Sequence, residues 1–121
     1  MKLVRHPKPE EMVLVDVLRA LSDPIRIGLV RVLADGCERG WAELQAPVSK
    51  STLSYHLTTL RDAGITRTRQ EGTRCFVELR RDDLDSRFPG LLDAVLGAVD
   101  SGEVGVHVGL RSDVDSGSDR S

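Results

Sequence analysis

Residues 48 to 65, Val48-Ser49-Lys50-Ser51-Thr52-Leu53-Ser54-Tyr55-His56-Leu57-Thr58-Thr59-Leu60-Arg61-Asp62-Ala63-Gly64-Ile65, place two unlike faces on one helix. Leu53, Leu57 and Leu60 recur at helical spacing on one side. The opposite side carries Ser51, Ser54, Tyr55 and Thr58, with Asp62 as its one acid. Gly64 ends the pattern, as the left-handed position after a helix prefers. A chain with this stretch needs a core for one face and a polar partner, or water, for the other. Hydroxyls donate or accept, the tyrosine adds a ring and a phenol, and Lys50 and Arg61 can reach phosphates at either end, so base edges and a sugar-phosphate backbone suit the polar side. For the helix alone, a solvated outer face explains the pattern equally well.

The next residues favour nucleic acid. Ile65-Thr66-Arg67-Thr68-Arg69-Gln70 alternates at period two, Glu71-Gly72-Thr73 supplies turn chemistry, and Arg74-Cys75-Phe76-Val77-Glu78-Leu79 reads as a returning strand. A hairpin carrying Arg67, Arg69 and Arg74 therefore follows the helix directly. The formal net charge of −2 conceals a local excess. Residues 49–81 contain seven lysines and arginines against three acids, whereas residues 82–121 contain three against nine. Counterion release depends on the contacting surface, so a basic middle third is a footprint in its own right.

The remaining chain fits one domain of 121 residues. Residues 1–9, with Pro7 and Pro9, read as a flexible arm, residues 10–100 as the folded domain, and residues 101–121 as a largely disordered tail. A first helix is expected from about Glu10 to Leu21, apolar nearly all round and so in need of cover on more than one side. Asp23 caps a second helix that has Pro24 at its first position and is closed by Asp35-Gly36. Gly40 to Gln45 is expected as a short third helix, with Ala46-Pro47-Val48 as the turn before the two-faced helix. Asp82-Asp83-Leu84-Asp85 opens an acidic segment. A last amphipathic pattern runs from Phe88 to Val99. Val104, Val106, Val108 and Leu110 alternate with other residues in a pattern that could add a strand or pack on a partner, though its glycines weaken it.

In its landmarks the chain resembles the ArsR-type winged helix-turn-helix repressors of bacteria. The matching residues are Leu21-Ser22-Asp23-Pro24-Ile25-Arg26 opening a helix, Ser51-Thr52-Leu53-Ser54-Tyr55-His56-Leu57 in the recognition helix, and Leu60-Arg61-Asp62-Ala63-Gly64-Ile65 leading into the wing. The resemblance covers roughly residues 12 to 98, most of the chain. The resemblance implies a mainly α fold with a small β-hairpin, dimerising through the first and last helices, and a homodimeric, sequence-specific repressor of transcription. Its partners would be a second copy of the chain and double-stranded DNA with an imperfect palindrome. Ser49, Lys50, Ser51, Thr52, Ser54, Tyr55 and Thr58 would lie near the groove, with Arg61, Arg67, Arg69, Thr73 and Arg74 on phosphates or in the minor groove. Met12, Val15, Leu18, Leu91, Leu92, Val95, Leu96 and Val99 would form the dimer interface. Between Glu43-Leu44 and the recognition helix the chain is about two residues shorter than that family and has Pro47, so the supporting helix is expected to be clipped or partly 3₁₀.

Many members of that family bind metal through paired cysteines in the third helix, and the matching positions here are Gly40 and Ala42. A second metal site, on the last helix, finds only Asp93 and a distant His107. Zinc needs about four placed ligands, so no metal or cofactor is expected. Cys37 and Cys75 are too few for a disulfide framework, and they read either as structural thiols or as the switch of a thiol-responsive repressor. No phosphate-cradling glycine loop or catalytic triad spacing points to an enzyme. No apolar run approaches a membrane span and the amino terminus lacks a signal-peptide core, so a cytoplasmic protein is expected. The competing functional reading is a winged-helix protein-interaction module without specific DNA binding. The small-molecule effector, if one exists, is not specified by any of these motifs.

Overall fold

The residues ahead of the first helix are settled by where Met12 can go. In the computed structural model, which describes residues 5–100, 104 and 107–111, Pro9–Glu11 makes one 3₁₀ turn and Met12 and Val13 are extended. Helix α1 then spans only Leu14–Leu21, shorter than the helix expected from Glu10. The extended pair turns Met12 inward, where it is 1% exposed and packs under Gly64. The backbone there is satisfied from far along the chain: Arg87 donates to the Met12 carbonyl at 3.2 Å and Arg80 to the Pro7 carbonyl at 2.8 Å. Met12, expected at the dimer interface, is thus a core residue.

Helix α1 buries Val17, Ala20 and Leu21 and turns Leu14, Val15 and Leu18 outward. Helix α2 (Pro24–Leu33) starts as the sequence predicts, with the Asp23 carboxylate accepting from the Ile25 and Arg26 N–H groups at 2.8 and 3.1 Å. Helix α3 (Lys50–Ala63) is capped by Ser49 and ended by Gly64 at φ 91°, with the Ile65 N–H returning to the Leu60 carbonyl. Leu29, Leu33, Leu57 and Leu60 from these two helices are fully buried. Arg26 links them, donating through Nε to the Ala20 carbonyl (2.6 Å) and bonding through Nη1 to His56 Nδ1 (3.0 Å). His56 is therefore a packing and hydrogen-bonding residue.

The segment between α2 and α3 departs from the expected helix. Strand β1 (Arg39–Gly40) leads into a 3₁₀ turn over Trp41–Glu43 and then strand β2 (Leu44–Gln45). Gly40 lies close against the Phe76 ring, and the Glu43 carboxylate accepts its N–H at 2.8 Å, so sheet pairing takes the residues a helix would have used. The hairpin is as read, with β3 (Thr66–Glu71) and β4 (Arg74–Leu79) turning through Gly72 at φ 61°. The sheet order is β1-β4-β3, with Thr66, Thr68, Val77 and Leu79 facing the core.

The chain then forms α4 (Arg81–Arg87), breaks at Phe88-Pro89-Gly90, and forms α5 (Leu91–Asp100). Leu92 and Val99 turn into this chain's own core, while Leu91, Val95 and Leu96 are half-buried. Of the expected interface, then, Met12, Leu92 and Val99 are already covered within one chain.

Both ends are held more firmly than their composition predicts. Strand β5 (Gly109–Leu110) pairs with β2, Val108 is buried with its carbonyl accepting from Arg31 at 2.7 Å, and the Arg111 N–H donates to the Glu43 carbonyl. Residues 109–110 thus form the strand that the alternation of Val104 to Leu110 allowed, and residues 112–121 lie outside the described residues. In the arm, His6 Nε2 accepts the Thr68 N–H at 2.9 Å, using the edge of β3 that β4 leaves open.

That bond requires an unprotonated His6 Nε2. Burial, then the positive charges of Arg80, Arg67 and Arg61, hold the His6 pKa below its ordinary 6.5. A lowered histidine pKa means that docking is complete above pH 6.5 and weakens as the pH falls through the folded-state value, because the released arm binds a proton more readily. The Thr68 amide resonance should shift on acidification in the native chain and hold steady in His6→Phe. A flat native profile would contradict this coupling.

Candidate nucleic-acid interface

Helix α3 presents its N-terminal turns to solvent because Leu57 and Leu60 anchor the opposite side. Ser49, Lys50, Ser51 and Tyr55 are exposed, and Thr52, Ser54, Thr58 and Arg61 are half-buried. Tyr55 is 63% exposed, which is unusual for the only tyrosine of a small domain and leaves its ring available to a partner. Ser49 has a structural duty: its hydroxyl accepts the Thr52 N–H at 3.2 Å and lies 3.2 and 3.0 Å from the Ser51 and Thr52 hydroxyls. Its side chain is an N-cap before it is anything else.

The arginines expected at phosphates differ in their freedom. Arg61 lies against Asp62 at 3.1 Å. Arg67 reaches Glu78 at 3.8 Å and Asp83 at 3.5 Å. Arg69 is gripped by Glu38 at 2.8 and 3.0 Å and by Glu71 at 3.0 Å while its guanidinium stacks on Phe76. This grip raises the Arg69 pKa further and lowers that of Glu38. Surface pairs of this kind contribute little to stability. Lys50 and Arg74 make no ion pair among the described residues, and Arg74 is placed at the hairpin tip over the Phe76 ring at 5.0 Å. Thr73 beside it is exposed. The positive field that the sequence spread over residues 49–81 is thus concentrated, within one chain, at the start of α3 and the tip of β3–β4.

Two further side chains bear on this surface. Glu38, from the loop after α2, neutralises Arg69, and nothing in its local sequence announced that. Arg111 adds a cation from the tail, where only the period-two alternation of the preceding valines hinted at ordered structure.

The sheet register also places the two cysteines. Arg39 lies opposite Val77 and Gly40 opposite Phe76, so Cys37 and Cys75 run to opposite ends of the β1–β4 pairing. This register does not align Cys37 with Cys75, and both are free thiols. Asp93 on α5 is engaged by Arg81 at 3.1 Å. No helix among the described residues is long and apolar enough to cross a membrane.

No family model matches the chain. Relatives similar to it include the uncharacterized HTH-type transcriptional regulator YceK of Bacillus subtilis (strain 168), 34% identical over 89 residues, which is 71% of this chain and 89% of that protein. They also include the HTH-type transcriptional regulator KmtR of Mycobacterium tuberculosis (strain ATCC 25618 / H37Rv), 35% identical over 100 residues, 79% of this chain and 74% of that protein. In both cases the matched length is far more than a single helix-turn-helix.

Proposed function

The chain belongs to the HTH-type transcriptional regulators, and on that premise we propose that it is a homodimeric repressor of the ArsR type that binds an imperfect palindromic operator in the cytoplasm. Helix α3 enters the major groove with Lys50, Ser51, Ser54, Tyr55 and Thr58 towards the bases. Arg74 and Thr73 at the hairpin tip, with Arg67 and Arg69 after exchange of their carboxylate partners, meet the backbone or the minor groove. The observation that carries the reading is the pairing of an exposed, acid-poor face on α3 with an uncompensated cation at the adjoining tip.

Dimerisation is supported by the outer side of α1. Val13, Leu14, Val15 and Leu18 are 50, 44, 56 and 45% exposed, and half-buried Leu91, Val95 and Leu96 lie on α5. A cluster of exposed apolar side chains such as that of α1 supports an interface there. A two-fold axis would set two α3 helices about 34 Å apart, one turn of DNA.

The reading is tested by binding of the purified chain to fragments of its own upstream DNA at two salt concentrations. Arg74→Ala is expected to weaken binding to every sequence and to lower the salt slope by about one. Tyr55→Ala should instead relax base preference, by about 1–3 kcal/mol of discrimination at the position it reads. DNA affinity untouched by both substitutions would overturn the assignment, and an absence of specific binding at low salt would favour a protein-interaction module.

A further inference from the structure

Between the start of α3, the 3₁₀ turn at Trp41 and strand β4 lies an open cavity of about 330 Å³. That is the small end of the roughly 300–1,000 Å³ range of ligand pockets. Its apolar lining comes from Trp41, Leu44 and Leu53, and its charge from Lys50, Arg74 and Arg111. Glu43 is the one acid in the lining, and its carboxylate is occupied by the Gly40 N–H. None of the three cations makes an ion pair among the described residues. Arg111 is held in place by backbone alone, its N–H on the Glu43 carbonyl and its Nε on the Ala42 carbonyl at 2.9 Å.

We propose that this cavity is an effector site for a small organic carboxylate with an apolar body, and that its occupation opposes DNA binding. Three like charges around one cavity call for an anion, and guanidinium groups bind carboxylates by charge-assisted, often paired hydrogen bonds. A bare phosphate would leave the Trp41 and Leu53 surface wet, whereas a ring or short chain would cover it. Lys50 and Arg74 are also the free cations of the proposed DNA surface, Lys50 in the groove and Arg74 on the backbone or in the minor groove, so the ligand and the DNA compete for the same groups. That second half rests on the DNA-binding reading. The ordered tail gains a role in the same step, because β5 brings Arg111 to the rim.

Trp41 is the only tryptophan and lines the cavity, so its fluorescence reports occupancy. Phenylacetate titrated into the full chain should change it saturably. Phenylacetamide, the same body without the charge, should bind at least about tenfold more weakly, as should phenylacetate to Arg111→Ala, with Arg111→Lys partly restoring binding. Inorganic phosphate should give no saturable change over the same range. Operator affinity should fall with phenylacetate in the native chain, and at least about tenfold more phenylacetate should be needed for the same fall in Arg111→Ala. No saturable response to phenylacetate, or an equal response to the amide, overturns the site. Loss of DNA affinity in Arg111→Ala without loss of phenylacetate discrimination overturns the assignment of Arg111 to it. Charge-dependent binding of phenylacetate by a chain that binds no DNA would leave the site standing and remove only its regulatory role.

Discussion

Val15→Asp combined with Leu18→Asp is expected to give a folded monomer whose specific DNA affinity has fallen by about a hundredfold or more, within the ~10²–10⁴ that linking two binding events commonly supplies. The two side chains lie on the outer side of α1 and are 56 and 45% exposed in the single chain, so charges there meet water and leave the core residues Val17, Ala20 and Leu21 undisturbed. In a dimer the same carboxylates would be trapped against apolar residues of the partner, at a cost of several kcal/mol per unpaired charge. Sedimentation should therefore report a monomer while circular dichroism stays native, and operator binding should lose its steep concentration dependence. A double variant that remains dimeric would place the interface elsewhere. One that unfolds would mean that this side of α1 packs within its own chain.

How far this architecture was legible depended on whether local chemistry decided each element. Asp23-Pro24 and the Ser49 cap carry their own hydrogen-bonding instructions, and Gly64 and Gly72 occupy left-handed conformations that favour glycine, so α2, α3 and the hairpin follow from the residues themselves. The misread elements are those that distant partners decide. Met12 breaks the first helix because a space under Gly64, more than fifty positions later, accepts its side chain. Gly40 becomes strand because Phe76 and β4 are alongside, and residues 109–110 become strand because β2 has a free edge. The first two pairings leave no periodic trace, and the third leaves only the period-two alternation of Val104, Val106, Val108 and Leu110.

The surface was legible in the same measure. Residue types and helical spacing sufficed to place Lys50, Ser51 and Tyr55 on the exposed side of α3, since exposure follows from opposing the leucine stripe. Charge was harder. Arg67, Arg69 and Arg74 look equivalent in the sequence, yet Glu38, Glu71, Glu78 and Asp83 occupy the first two and leave the third. A count of seven cations against three acids in residues 49–81 includes neither Glu38 nor Asp83, because both come from outside the segment.

Gly64→Ala is expected to destabilise the domain by roughly 2–5 kcal/mol, from about 1–2 for a side chain in the left-handed region and about 1–3 for overpacking. Glycine there has φ 91°, and an added Cβ would stand 2.7 Å from Met12 Cγ, inside any real carbon–carbon contact. Met12 is 1% exposed, so it has little room to yield. In a Met12→Ala background the clash is gone, and the same substitution should cost only the backbone part, about 1–2 kcal/mol. Urea unfolding of the four combinations separates the two contributions as a coupling between the sites. Additive costs would contradict the Met12–Gly64 contact, and a cost below about 0.5 kcal/mol would contradict the left-handed turn itself. The contact joins the end of α3 to the residues that launch α1. A loss here should therefore loosen the recognition helix and the outward apolar surface together, weakening operator binding by more than the population of unfolded chain accounts for.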